Sequence, residues 1–314
     1  MNECVLSLKY YMTIIYKTIH AILRQSFIIR NGITLAVILL LIFLPSARAQ
    51  EDPWQDYMKY MIYSPRYFGP NAFPLPELRS GYIDKRWEVE VRGEYHTYKG
   101  DQAKDIYARM FIPVAEGRAG FELSYIFYEF YNMTPETVAE RHASGRTWKH
   151  GANGDVIFNS YYKIFKNDKR IGLLFEASFK TASGDRIADA RYTDAASYWF
   201  DLNAGHCLYR SADSLKFITI QSLAGFYCWM TNDIVHRQND AFLYAGGISG
   251  GIKNLTFQAD IAGFYGYSNN GDRPLILRTK LNYEYRKNIL SFRYKHGIHD
   301  YLYDSYSLAY IRCF

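Results

Sequence analysis

Hydrophobic and polar positions alternate with a period of two along most of the chain from Trp87 to Phe314, most cleanly between Leu275 and Lys295. Leu275, Leu277, Thr279, Leu281, Tyr283 and Tyr285 share one face; Ile276, Arg278, Lys280, Asn282, Glu284 and Arg286 share the other. Beyond Lys287 and Asn288 the pattern resumes, with Leu290, Phe292 and Tyr294 set against Ser291, Arg293 and Lys295. This is a two-stranded hairpin with one aromatic, apolar face and one charged face.

Similar segments recur, and they predict twelve strands: 87–99, 105–114, 119–131, 155–166, 171–181, 197–206, 215–230, 241–252, 255–267, the two of the hairpin, and 302–314. In the first, Glu88, Glu90, Arg92 and Glu94 oppose Val89 and Val91; in the third, Glu122, Ser124 and Tyr128 oppose Phe121, Leu123, Tyr125 and Phe127. The links after even-numbered strands are short, such as Glu116-Gly117, Asn167 to Arg170 and Lys253-Asn254. Those after strands 3, 5 and 7 are long. A soluble sheet would turn its charged face to water. A transmembrane antiparallel β-barrel turns its apolar face to lipid and its charged face to a lumen, and it needs strands of about this length.

The apolar run 33–44, followed by Pro45 and Ala47-Arg48-Ala49, reads as the core and cleavage site of a signal peptide, so residues 1–49 are expected to be removed. The stretch ahead of that core is long for a leader, which fits a start further downstream, Met12 being one candidate; the competing reading is an uncleaved anchor. Without residues 1–49 the 37 basic and 31 acidic side chains become 32 and 30, and the net charge falls from +6 to +2. Charge therefore gives no support to a nucleic-acid partner. Residues 50–86 carry Pro65, Pro70, Pro74 and Pro76, which rule out a paired central strand. They predict an extended segment that either lies under the periplasmic mouth or enters the lumen as a plug. Residues 87–314 form the barrel.

Aromatic residues make up 18% of the chain, with 30 tyrosines. Cys207, Cys228 and Cys313 have no metal-ligand spacing, and neither a metal nor a cofactor is expected. With its Ala-Arg-Ala leader, alternating strands and a final segment 306–314 ending on an aromatic residue, the chain resembles Gram-negative outer-membrane β-barrel proteins. The resemblance implies an outer-membrane location, and the alternation of short and long links puts both mature termini in the periplasm. It also implies contact with outer-membrane lipids and lipopolysaccharide, and makes Leu308, Tyr310 and Phe314 the signal for the barrel-assembly machinery.

The expected lumen residues are Glu88, Glu90, Arg92, Glu94, Arg109, Glu122, Lys163, Glu176, Asp260, Arg278, Lys280, Glu284, Arg293 and Lys295. They either interlock as salt bridges or line a narrow channel for small polar solutes. A lipid hydrolase is the enzymatic rival, on the spacing of His142 and Ser144, and a closed structural or adhesion barrel is the third reading. The charge-alternating loop 185–194 is read as self-paired, solvated or folded inward, against a cation or lipid-phosphate contact. Gly246 to Gly251 lacks the helix and lysine of a phosphate cradle and points to close packing or bending of the wall.

Overall fold

The structure, a computed structural model, describes residues 59–144, 150–165, 170–213, 215–233 and 235–314; the leader, residues 50–58 and the Asn167-Asp168 turn lie outside them. Thirteen strands form one antiparallel sheet: β1 (Glu88–Tyr98), β2 (Asp101–Val114), β3 (Ala119–Met133), β4 (His150–Ala152), β5 (Ile157–Lys163), β6 (Ile171–Lys180), β7 (Ser197–Arg210), β8 (Lys216–Met230), β9 (Gln238–Ile252), β10 (Leu255–Gly266), β11 (Leu275–Tyr285), β12 (Asn288–His299) and β13 (Asp304–Cys313). Strand β1 pairs with both β2 and β13, so the sheet closes on itself and leaves no free edge between first and last strands. Twelve strands make the barrel. Short β4 pairs with the far end of β3, above the point where β5 stops. The connection before it carries one helix, α1 (Pro135–Glu140), capped by the Thr134 side chain.

The alternation places apolar side chains outside and charge inside. Val91, Phe121, Phe242, Leu281 and Leu308 are exposed, whereas Glu90, Glu176, Asp201 and Asn203 are almost fully buried. That is the inverse of a water-soluble sheet and fits a wall facing lipid. The strands span the segments that periodicity predicts, with shifted ends: β2 begins at Asp101 and β7 runs on to Arg210.

Two details depart from strict alternation. A bulge in β3 puts Tyr128 opposite Ile106 but Ile126 opposite Tyr107, leaving Phe127 as the extra residue. Faces exchange there. Tyr128 therefore points outward, against expectation, while Glu129 and Tyr131 are buried. Arg286 also leaves the wall: it sits exposed in the turn before Asn288 with φ of 57°.

One mouth of the barrel carries the short turns, such as 253–254 and 286–287; the other carries the long loops 134–156 and 181–196. Residues 59–86 thread the lumen between them. At the loop mouth the Met61 carbonyl accepts from Asn232 Nδ2 at 3.1 Å and the Tyr63 carbonyl from Trp229 Nε1 at 2.9 Å. At the turn mouth Arg86 meets Glu284 at 2.5 Å just before β1 begins. Residue 59 and Phe314 thus lie at opposite mouths, and the start of the mature chain lies outside the described residues.

Candidate functional site

The threaded segment is held along its whole length by backbone and side-chain contacts that polyproline-like chain makes readily, because its carbonyls are not used in a sheet. Phe68 and Phe73 meet edge to face at 5.7 Å, and Phe73 meets Trp229 at 5.6 Å. Tyr227, Trp229 and Phe264 complete this aromatic core at the loop mouth. Asn71 Nδ2 donates to Asp105 Oδ2 and Glu129 Oε2, both at 2.9 Å. Further down, the Pro76 carbonyl accepts from Arg278 Nη1 at 2.8 Å and the Leu78 carbonyl from Gln258 at 3.0 Å. Glu77 lies 3.3 Å from Lys280 and 3.7 Å from Arg293. Arg79 reaches Glu122 at 3.2 Å and donates to the Tyr161 hydroxyl at 2.6 Å.

Around Gly81 the contact is by shape. Gly81 has φ of +79°, and a Cβ there would lie 2.2 Å from the Gly172 backbone. At the rim, burial opposes the charged form of Asp84, but hydrogen bonds from Arg86 outweigh it and hold its carboxyl below the ordinary range.

The charges expected in the lumen interlock. Arg109 bonds Glu88 at 2.6 Å, Glu90 at 2.8 Å and Glu122 at 2.9 Å. Arg92 bridges Glu90 and Glu94, and Arg278 bonds Asp260 at 2.7 Å. Arg293 crosses β13 to reach Glu90 at 2.9 Å, and Lys295 comes within 3.7 Å of Glu94. The small lumen-facing residues Ser305, Ser307 and Ala309 on β13 leave the room for this crossing. Lys163 lies over the Tyr82 ring, Glu176 sits 3.8 Å from Arg79 Nε, and Glu284 takes Arg86.

Of the loop-mouth group, sequence reasoning names only Glu94 as a lumen residue. Glu94, Asp105 and Glu129 are cross-strand neighbours in one row, an unfavourable arrangement unless cations and donors surround it. Arg191, folded in from the 181–196 loop, binds both Asp101 and Glu129; Arg141 binds Asp101 at 2.9 Å and the Tyr303 hydroxyl at 2.8 Å. All of these groups are almost fully buried. Among the described residues Glu94, His96 and Asp105 are the one trio with donor atoms close enough for a metal. Both His96 nitrogens are engaged, however, by Ser305 at 2.7 Å and Asp105 at 2.8 Å, and Asp105 also anchors Asn71, so the trio serves the plug.

No hydrogen bond joins His142 to Ser144 among the described residues. Ser144 Oγ donates to Asp189 at 2.8 Å, and His142 lies exposed near the Tyr60 ring. The 185–194 loop folds inward, carrying Asp189 and Arg191 into the buried interior. In the glycine-rich stretch of β9, Gly247 packs closely: a Cβ there would sit 2.4 Å from the Ala259 carbonyl.

Two cavities flank the plug. One of about 330 Å³ lies against the charged walls of β1, β2 and β11 to β13; the other, about 460 Å³, lies at the turn mouth against β8 to β11.

No family model and no curated protein matches the chain. Its fold is similar to that of the outer membrane channel from Pseudomonas putida F1, with a TM-score of 0.50 and 12% identity over 76% of this chain and 97% of that one. A KdgM porin in complex with disordered oligogalacturonate aligns with a TM-score of 0.46 and 12% identity over 72% of this chain and 99% of that one. For the beta domain of the Bordetella autotransporter BrkA the TM-score is 0.46 and the identity 11%, over 73% and 99%. The fold is that of an outer-membrane β-barrel of twelve strands.

Proposed function

We propose that the protein is an outer-membrane channel or binding barrel for small polar solutes, with Phe314 and the turn mouth on the periplasmic side and the loop mouth outside. The observation that carries this reading is the lumen itself: charges of both signs face inward, an extended segment runs beside them, and two cavities remain along it. The ion pairs of Glu77 and Arg79 set the plug's position, so passage is narrow and depends on the plug shifting. The lipid-facing residues Leu308, Tyr310 and Phe314, all exposed near the turn mouth, are available to the assembly machinery. Lipopolysaccharide contacts would fall to the outer ends of the strands and the loops.

Full-length protein in planar bilayers tests the reading. Small, reproducible conductance steps are expected, enlarged by Arg79→Ala and altered in ion preference by Arg278→Ala. Electrically silent barrels for all three proteins, with the gel-mobility shift between unheated and boiled samples intact, would retire it.

A further inference from the structure

Resting on the binding-barrel reading, we infer that the turn-mouth cavity is a site for a small, uncharged, hydroxyl-rich solute of about monosaccharide size. At about 460 Å³ the cavity falls within the range of small-molecule sites. Its wall on β8 to β11 carries neutral hydrogen-bonding groups: Thr219, Gln221, Ser249, Thr256 and Asn282. Thr219 and Ser249 are cross-strand partners, as are Thr256 and Asn282, so hydroxyls and amides are laid out side by side on one surface.

Two observations beyond composition point to a ligand. Gln221 is 4% exposed, yet its Oε1 has no hydrogen-bond partner among the described residues, and the covered Oδ1 of the half-buried Asn282 has none there either. A covered amide oxygen left unmatched is unfavourable, so a wall that keeps two of them gains from a solute that donates hydrogen bonds.

The charges bordering the cavity argue against an ionic solute. Arg79 is taken by Glu122, Arg109 by three glutamates and Lys280 by Glu77. Arg210, at the rim, lies over the Phe217 ring. Inside the rim an anion would have to break existing pairs, whereas neutral hydroxyls meet groups that are still unmatched; only the exposed Arg210 could take an anion without doing so. Leu78 and Ile83, from the plug, supply the apolar contacts on which a ring face can rest. The plug therefore forms one side of the site, and a bound solute would touch both plug and wall.

The test is isothermal titration calorimetry on the full-length protein in detergent, with glucose, glucuronate and glucosamine as probes. Saturable glucose binding is expected, at least tenfold weaker in Gln221→Leu and in Asn282→Leu, with the two charged sugars binding no more tightly than glucose. The gel-mobility shift checks that each variant keeps its barrel. No saturable binding of glucose, binding unchanged in both variants, or tight binding of glucuronate alone would each overturn the assignment. Conductance in bilayers is read separately: a conducting protein that does not bind glucose keeps the channel reading and loses this site, and a silent protein that binds glucose does the reverse.

Discussion

The two mouths of the barrel are closed by different physics. At the loop mouth, aromatic rings and buried ion pairs do the closing: Phe68, Phe73 and Trp229 pack together, and Arg141 and Arg191 converge on Asp101. At the turn mouth, backbone lies against backbone at Gly81 and Gly172, and the rim pair Arg86–Glu284 is about one-third exposed. Buried pairs are costly to separate because each leaves an uncompensated charge; a close fit between backbones constrains position but stores little attraction. The difference locates the yielding end of the plug: residues 80–86, beyond the ion pairs of Glu77 and Arg79, shift at lower cost than its N-terminal half.

Arg191→Ala should strike the loop mouth hardest, because Asp101 and Glu129 keep their charge without its guanidinium. A loss of about 3–5 kcal/mol is expected, read as a lower temperature at which the fast-migrating gel band disappears. Phe73→Ala should follow, at about 3 kcal/mol, with the Trp229 fluorescence shifted toward that of a solvated indole. If either variant melts like the unaltered protein, the loop mouth is not the anchored end.

Gly81→Val works on the other side of the comparison. It adds a side chain where the Gly172 backbone leaves no space, so the plug should be displaced at a cost of about 1–3 kcal/mol while conductance rises. Unchanged conductance would mean that the turn mouth does not govern access. Arg86→Ala should have the smallest effect, about 0–1 kcal/mol, since the pair is exposed. The lowered carboxyl of Asp84 contributes fully above its ordinary value of 3.8 and is lost only as pH falls through the lower folded value. Hence the difference between Arg86→Ala and the unaltered protein should stay constant from about pH 8 down to about pH 5, and a change within that window would contradict the pairing.

How much of this was legible depended on periodicity. Alternation gave every barrel strand and put Glu90, Arg92, Arg109 and Arg293 on the lumen face, because a period of two is a geometric property of the strand itself. It broke at Phe127, where one extra residue exchanged the faces and hid Glu129, the residue that ties Asn71 and Arg191 together. That the lumen charges could interlock was legible, but the reach of Arg293 from β12 to Glu90 on β1 depended on the small residues of β13. The prolines ruled out a strand for residues 59–86 without choosing between a place beneath the barrel and one within it; only the three-dimensional fit of Glu77 and Arg79 does that. Arg141 and Arg191 belong to loops, whose direction no periodic signal records.

Because residues 59–86 run lengthwise through a closed ring of strands and continue directly into β1, they are a thread that cannot leave sideways. The seam between β1 and β13 must form around them, so enclosure of the thread belongs to assembly of the wall and is not a later docking step. Withdrawal is possible only end-on, toward the turn mouth, drawing whatever precedes Tyr60 after it. A folded protein joined ahead of that position would act as a stopper knot, too wide to follow. A membrane-impermeant maleimide should find a cysteine at Tyr60, 58% exposed, from the loop side alone.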